Sequence, residues 1–197
     1  MNWETLLTFG DSITYGARSY LGYPEICGDL LSNRLNKKWH VINHSTNGHT
    51  TMDLIRSINP FLENYKSIYP SLITVMIGTN DIKNHVSIKD FKIAYNQLII
   101  KLELLSVGKN ILLLKIPRFT QKVFYPYNYS MNEQVGEFNL CIEQLAFENK
   151  LRCLDLNLTD EDFYDGVHLN SEGCHTVAQQ LSGFILKDKG IESSSNL

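Results

Sequence analysis

The amino-acid sequence predicts an α/β protein: a parallel sheet covered by helices on both faces, in three α/β/α layers. Short apolar runs recur along the 197 residues at 5–9, 39–43, 72–77, 111–116 and 152–156, each too short for a helix and bounded by polar residues, glycine or proline. Between these runs, apolar residues repeat at spacings of three and four, the period of a helix with one buried face. Strands that alternate with helices need crossover connections, which make the strands parallel and place helices over both sheet faces.

Taken in order, the first strand, 5–9, runs straight into Gly10-Asp11-Ser12. A helix over 24–35 follows, with Cys27, Leu31 and Leu35 on one stripe, then strand 39–43 and a helix over 52–62 carrying Leu54, Ile55, Ile58 and Leu62. The third strand, 72–77, runs into Gly78-Thr79-Asn80-Asp81. Behind a Ser87/Asp90 capping pattern, Phe91, Tyr95, Leu98, Leu102 and Leu105 share a helix face. After strand 111–116 and an aromatic stretch to 129, Val135, Phe138, Ile142 and Leu145 define the next helix. The fifth strand, 152–156, precedes a last helix over 171–187 with Cys174, Val177, Ala178, Leu181, Phe184 and Ile185 on one stripe and Asn170 or Ser171 as its N-cap. Residues 1–190 are expected to form one domain and 191–197, rich in serine, a disordered tail.

Composition bounds the function. With 43% hydrophobic residues the chain can bury a sizeable core. A net charge of -3 and the lack of a dense Lys/Arg block argue against nucleic acid as a partner. No apolar stretch is long enough for a membrane span or a signal peptide, so a cytoplasmic location is expected. Cys27, Cys141, Cys153 and Cys174 form no CxxC pair and read as free buried thiols, and the histidines show no HExxH spacing, so no metal is expected.

Active sites in parallel sheets lie beyond the carboxyl ends of the strands. Ser12 falls there, and Asp165-Gly166-Val167-His168 falls just before the last helix. A serine hydroxyl is a poor nucleophile until a base removes its proton; imidazole does so when a carboxylate fixes its tautomer and stabilises the imidazolium. Alone, Asp165 and His168 at this spacing read as a helix cap. Acyl transfer also needs donors for an oxyanion. Gly48, in Asn43-His44-Ser45-Thr46-Asn47-Gly48, has a backbone N–H unobstructed by a side chain, and Asn80 has a carboxamide. Singly, Asn47-Gly48 is a turn, and the segment ending in Asp81 a loop with a helix cap.

The joint order of GDS, N-x-x-x-x-G, GTND and DGVH, after strands one, two, three and five, resembles the GDSL esterases, also called SGNH hydrolases, over residues 9 to about 169. The resemblance implies a flavodoxin-like five-stranded sheet of order 2-1-3-4-5 and a small-molecule ester as substrate. It implies Ser12 as nucleophile, His168 with Asp165 as base, and the Ser12 N–H, Gly48 N–H and Asn80 side chain as oxyanion donors, with no cofactor. Ser45 stands where members often carry glycine, and Ile13 replaces the leucine of the family name. Asp11 reads as a turn or cap residue that positions Ser12. The family acts on acetylated sugars, lysophospholipids, short fatty-acid esters and thioesters; the absence of a long apolar insertion favours small acyl groups. The aromatic residues of 117–129 form either a substrate rim or packing for their own loop. The rival reading is a non-catalytic module holding a sugar or phosphate at the Ser12 loop, against which Asp165 and His168 argue. A flavin or nucleotide site lacks its glycine signature after strand one.

Overall fold

In the computed structural model, residues 3–64, 69–106 and 108–191 are described. Five strands, β1 (Trp3–Gly10), β2 (Lys38–Ser45), β3 (Leu72–Met76), β4 (Ile111–Leu114) and β5 (Arg152–Leu154), form one parallel sheet in the order β2-β1-β3-β4-β5. The helices are, in chain order, α1 (Ser12–Tyr15), α2 (Tyr23–Leu35), α3 (Thr51–Asn64), α4 (Thr79–Lys83), α5 (Ile88–Glu103), α6 (Asn132–Asn149) and α7 (Ser171–Asp188).

Because side chains alternate across a strand, each strand feeds two cores. Leu7 and Phe9, Ile73 and Val75, and Ile111 and Leu113 pack with the apolar stripes of α3, α5 and α6. Leu6, Leu72, Met76, Leu112 and Leu114 pack with those of α2 and α7 on the opposite face. The predicted stripes are the buried ones: Phe91, Tyr95, Leu98 and Leu102 are fully buried, as are Val177, Ala178 and Leu181. Each fully buried large side chain contributes roughly 1.5–3 kcal/mol of transfer free energy.

Capping follows the sequence. Ser87 Oγ accepts the Asp90 N–H at 3.1 Å, and Asn170 Oδ1 accepts the Gly173 N–H at 2.8 Å, making Asn170 the N-cap of α7. α5 ends at Glu103, before Leu105, which is nonetheless buried. β1 and β2 are longer than predicted and pair over eight residues, whereas β4 and β5 stop short. The chain leaving β4 exchanges ladder bonds for two asparagines of α6. Asn139 accepts the Ile116 N–H at 2.7 Å and donates to Ile116 O at 2.9 Å; Asn132 does the same for Phe119 at 2.8 and 2.9 Å. Backbone groups that leave a sheet need such partners. The short α1 and α4 were not predicted, since four or five residues carry no helical period.

Cys27, Cys141 and Cys174 are buried and Cys153 half-buried, all as free thiols. No helix among the described residues is long and apolar enough to cross a membrane. Of the expected tail, 192–197 lies outside the described residues.

Candidate active site

Asp11 follows β1 and caps α1: its Oδ1 accepts the Ile13 N–H at 3.0 Å, and Ser12 is the first helical residue. This is the positioning role read from the sequence. Burial pushes the Asp11 carboxyl up to about 7, with the charge of Asp81 acting in the same sense. Asn43 of β2 steadies the arrangement from the side. It accepts from Thr8 Oγ1 at 3.2 Å and donates to Thr14 O at 3.2 Å and Glu25 Oε1 at 3.0 Å, tying β1, α1 and α2 together.

The segment before α7 folds back on itself through a bridge between Phe163 and Leu169 and a 2.8 Å bond from the Tyr164 N–H to His168 O. Inside this turn, Asp165 Oδ1 accepts the backbone N–H groups of Val167 at 3.1 Å and His168 at 2.8 Å. Its Oδ2 lies 2.8 Å from His168 Nδ1, and His168 Nε2 lies 2.9 Å from Ser12 Oγ. Burial raises the Asp165 carboxyl, but the hydrogen bonds from the His168 backbone and ring and the Val167 N–H outweigh it and hold it below the ordinary carboxylate range. An ionised Asp165 can only accept, so Nδ1 carries a proton, and in the neutral imidazole the Nε2 lone pair then faces the serine hydroxyl. Gly166 makes the turn possible: its φ is +85°, and a Cβ there would lie 2.5 Å from Val123 N.

Gly48 and Asn80 line one open pocket of about 310 Å³ with Ser12 and His168. The structure thus brings together all five residues singled out in the sequence. Gly48 follows Asn47 in a turn closed by the His49 N–H to Thr46 O bond at 3.2 Å, with φ +80°. A Cβ at this position would meet nothing within 4 Å, so the backbone conformation, not crowding, calls for glycine. Asn80, on α4, donates from Nδ2 to His49 O at 3.0 Å. Its neighbour Asp81 is not the cap of its own helix: it accepts from Thr51 N and Oγ1 at 2.9 and 3.1 Å and so caps α3.

The remaining pocket wall is Ala17, Arg18, Asn47, Lys83 and Tyr127. Of the aromatic loop, Tyr127 stands inside the site and not on its rim, with its hydroxyl 3.2 Å from Asn80 Oδ1. Tyr125 and Phe124 are exposed. Nothing in the spacing of Tyr125, Tyr127 and Tyr129 separates the inward residue from the outward ones: residues two apart would share a side in an extended chain. Arg18 Nε lies 3.7 Å from Asp165 Oδ2, but its side chain is 55% exposed and the pair contributes little. A larger cavity of about 570 Å³, bounded by Arg118, Phe119, Tyr129, Leu140 and Phe163, contains none of the predicted site residues. Among the described residues, no group of three or more His, Cys, Asp or Glu is placed to hold a metal ion.

A parallel sheet with a serine, an imidazole and a carboxylate in line at its carboxyl edge defines a hydrolase-like class of α/β protein. The chain belongs to the GDSL-like Lipase/Acylhydrolase family, whose model matches residues 8–175, and it is accordingly a carboxylic ester hydrolase. It is 27% identical to the isoamyl acetate-hydrolyzing esterase 1 homolog of Mus musculus, across 88% of this chain and 75% of that protein. Its fold matches an acetylxylan esterase from Geobacillus stearothermophilus (TM-score 0.70, 21% identity, 98% of this chain and 97% of that one). It also matches a lipase/acylhydrolase from Enterococcus faecalis (TM-score 0.73, 19% identity, 94% and 96% of the two chains).

Proposed function

We propose that the protein is a small-acyl esterase working through Ser12, His168 and Asp165. The observation that carries this reading is the 2.9 Å contact between His168 Nε2 and Ser12 Oγ, with Asp165 behind the ring. Ser12 Oγ attacks the ester carbonyl as His168 takes its proton, and the oxyanion forms against the Ser12 and Gly48 N–H groups and the Asn80 amide. His168 then passes the proton to the leaving alcohol. Water, activated by the same imidazole, releases the acid and restores the serine. This chemistry calls for no cofactor.

The substrate reading leans on the pocket wall, where Ala17 and Tyr127 stand among polar and charged residues. Such a wall suits a short acyl chain on a polar alcohol. The names of the mouse relative and of the Geobacillus enzyme both point to acetyl esters, the latter on a sugar polymer. Ser12→Ala is expected to lower kcat on p-nitrophenyl acetate by roughly a thousandfold or more while leaving the melting temperature near that of the wild type. A folded Ser12→Ala enzyme with undiminished turnover would sink the assignment.

A further inference from the structure

We propose that Tyr127 is a positioning residue that fixes the Asn80 carboxamide in the orientation needed to stabilise the oxyanion. The inference rests on Asn80 being an oxyanion donor.

A carboxamide is nearly symmetric in shape but not in charge. Presented one way it offers N–H to a developing oxyanion; rotated by half a turn it offers a carbonyl oxygen, which repels it. Two contacts distinguish the orientations. His49 O can only accept, so the Asn80 Nδ2 at 3.0 Å must face it. Oδ1 is then the atom 3.2 Å from the Tyr127 hydroxyl, which must donate to it. Burial, with the charges of Asp11 and Asp165, pushes the Tyr127 phenol up to about 12, so it keeps its proton at neutral pH. One N–H of the amide goes to His49, leaving the second for a ligand in the pocket that Asn80 shares with Ser12. A donor on Oδ1 also polarises the amide and strengthens that remaining N–H.

Tyr127 is itself held. Its ring centroid lies 5.2 Å from that of Phe119, a buried residue whose backbone is bracketed by Asn132, and its N–H donates to Phe124 O at 3.0 Å. The same loop joins the catalytic turn through the Thr120 N–H to Gly166 O bond at 3.0 Å. The loop after β4 therefore links the donor side of the pocket to the base side.

The test is a double-mutant cycle on p-nitrophenyl acetate with Tyr127→Phe, Asn80→Ala and the pair. Phenylalanine keeps the ring against Phe119 and removes only the hydroxyl, so the fold should survive, as thermal melting would verify. Tyr127→Phe alone should lower kcat by about tenfold with KM within about twofold. In the Asn80→Ala background it should change kcat no further, because the group it orients is gone. An equal loss in both backgrounds, a raised KM with kcat unchanged, or no effect at all would overturn the proposal and return Tyr127 to substrate contact or packing. If Asn80→Ala itself leaves kcat unchanged, the oxyanion reading of Asn80 fails first and takes the Tyr127 proposal with it, a result distinct from the others.

Discussion

Asp11 combines complete burial with a carboxyl pushed up to about 7, immediately before the candidate nucleophile. Its folded value lies above the unfolded one of about 3.9, so the folded state binds the proton more tightly. Stability gained this way is fully present below the unfolded value and is lost as pH rises through the folded one. Asp81, raised to about 6 by burial, acts in the same sense, whereas Asp165, held low, contributes stability that is lost only as pH falls through its folded value. Asp11 and Asp81 should therefore lower the melting temperature as pH rises from 5 to about 7, against an opposing gain from His44, whose imidazole burial holds below its ordinary value. Asp11→Asn keeps an acceptor for the Ile13 N–H and should flatten that decline, an effect on the order of a few kcal/mol at most. Identical pH slopes for the two proteins would refute this account. At this scale Ser12, Gly48, Asn80, Asp165 and His168 were legible as candidates because their four motifs occur in the order that resembles the family; singly, most of those motifs read as a turn, a loop or a cap. Tyr127 was not, because a loop without period gives no indication of which ring turns inward.

Among the elements, the turn holding Asp165 and His168 is constrained twice at Gly166, by its positive φ and by the Val123 backbone of the β4–α6 loop. Gly48 has a similar φ but open space around it. Alanine should therefore be worse at 166, where strain and a backbone clash combine to cost about 2 kcal/mol or more, than at 48, where strain alone costs about 1 kcal/mol. Urea unfolding would measure both, and equal losses would contradict the clash. The long helices were readable from periodicity, and the strand cores from their apolar runs. The strand ends were not: Ile116, the last residue of the expected fourth strand, gives its backbone bonds to Asn139, whose role as a partner depends on α6 packing alongside.

For the molecule as a whole, the alternation of strands and helices announced the layers, but not the winding. Apolar runs do not say which strand is central, and the order came from the resemblance of four motifs. With β1 between β2 and β3, the helix after β1 covers one face and the helix after β2 the other, which opens a crevice at the carboxyl end of β1 where Ser12 stands. The shape of that crevice bears on the substrate. An open pocket of about 310 Å³ lined mainly by polar and charged residues should favour short acyl chains. Turnover of p-nitrophenyl esters is expected to fall steadily from acetate to octanoate, by roughly tenfold or more overall at one to two kcal/mol of lost complementarity. A preference for octanoate would contradict the pocket reading.

The contact between Ser12 and His168 joins residues 156 positions apart. His168 lies just ahead of the final helix, α7. On the proposed mechanism, β1, β2 and β3 with the turns that follow them carry Ser12, Gly48 and Asn80, while the base waits on the segment before α7. Ester turnover through these two residues would therefore report a contact that spans nearly the whole described fold.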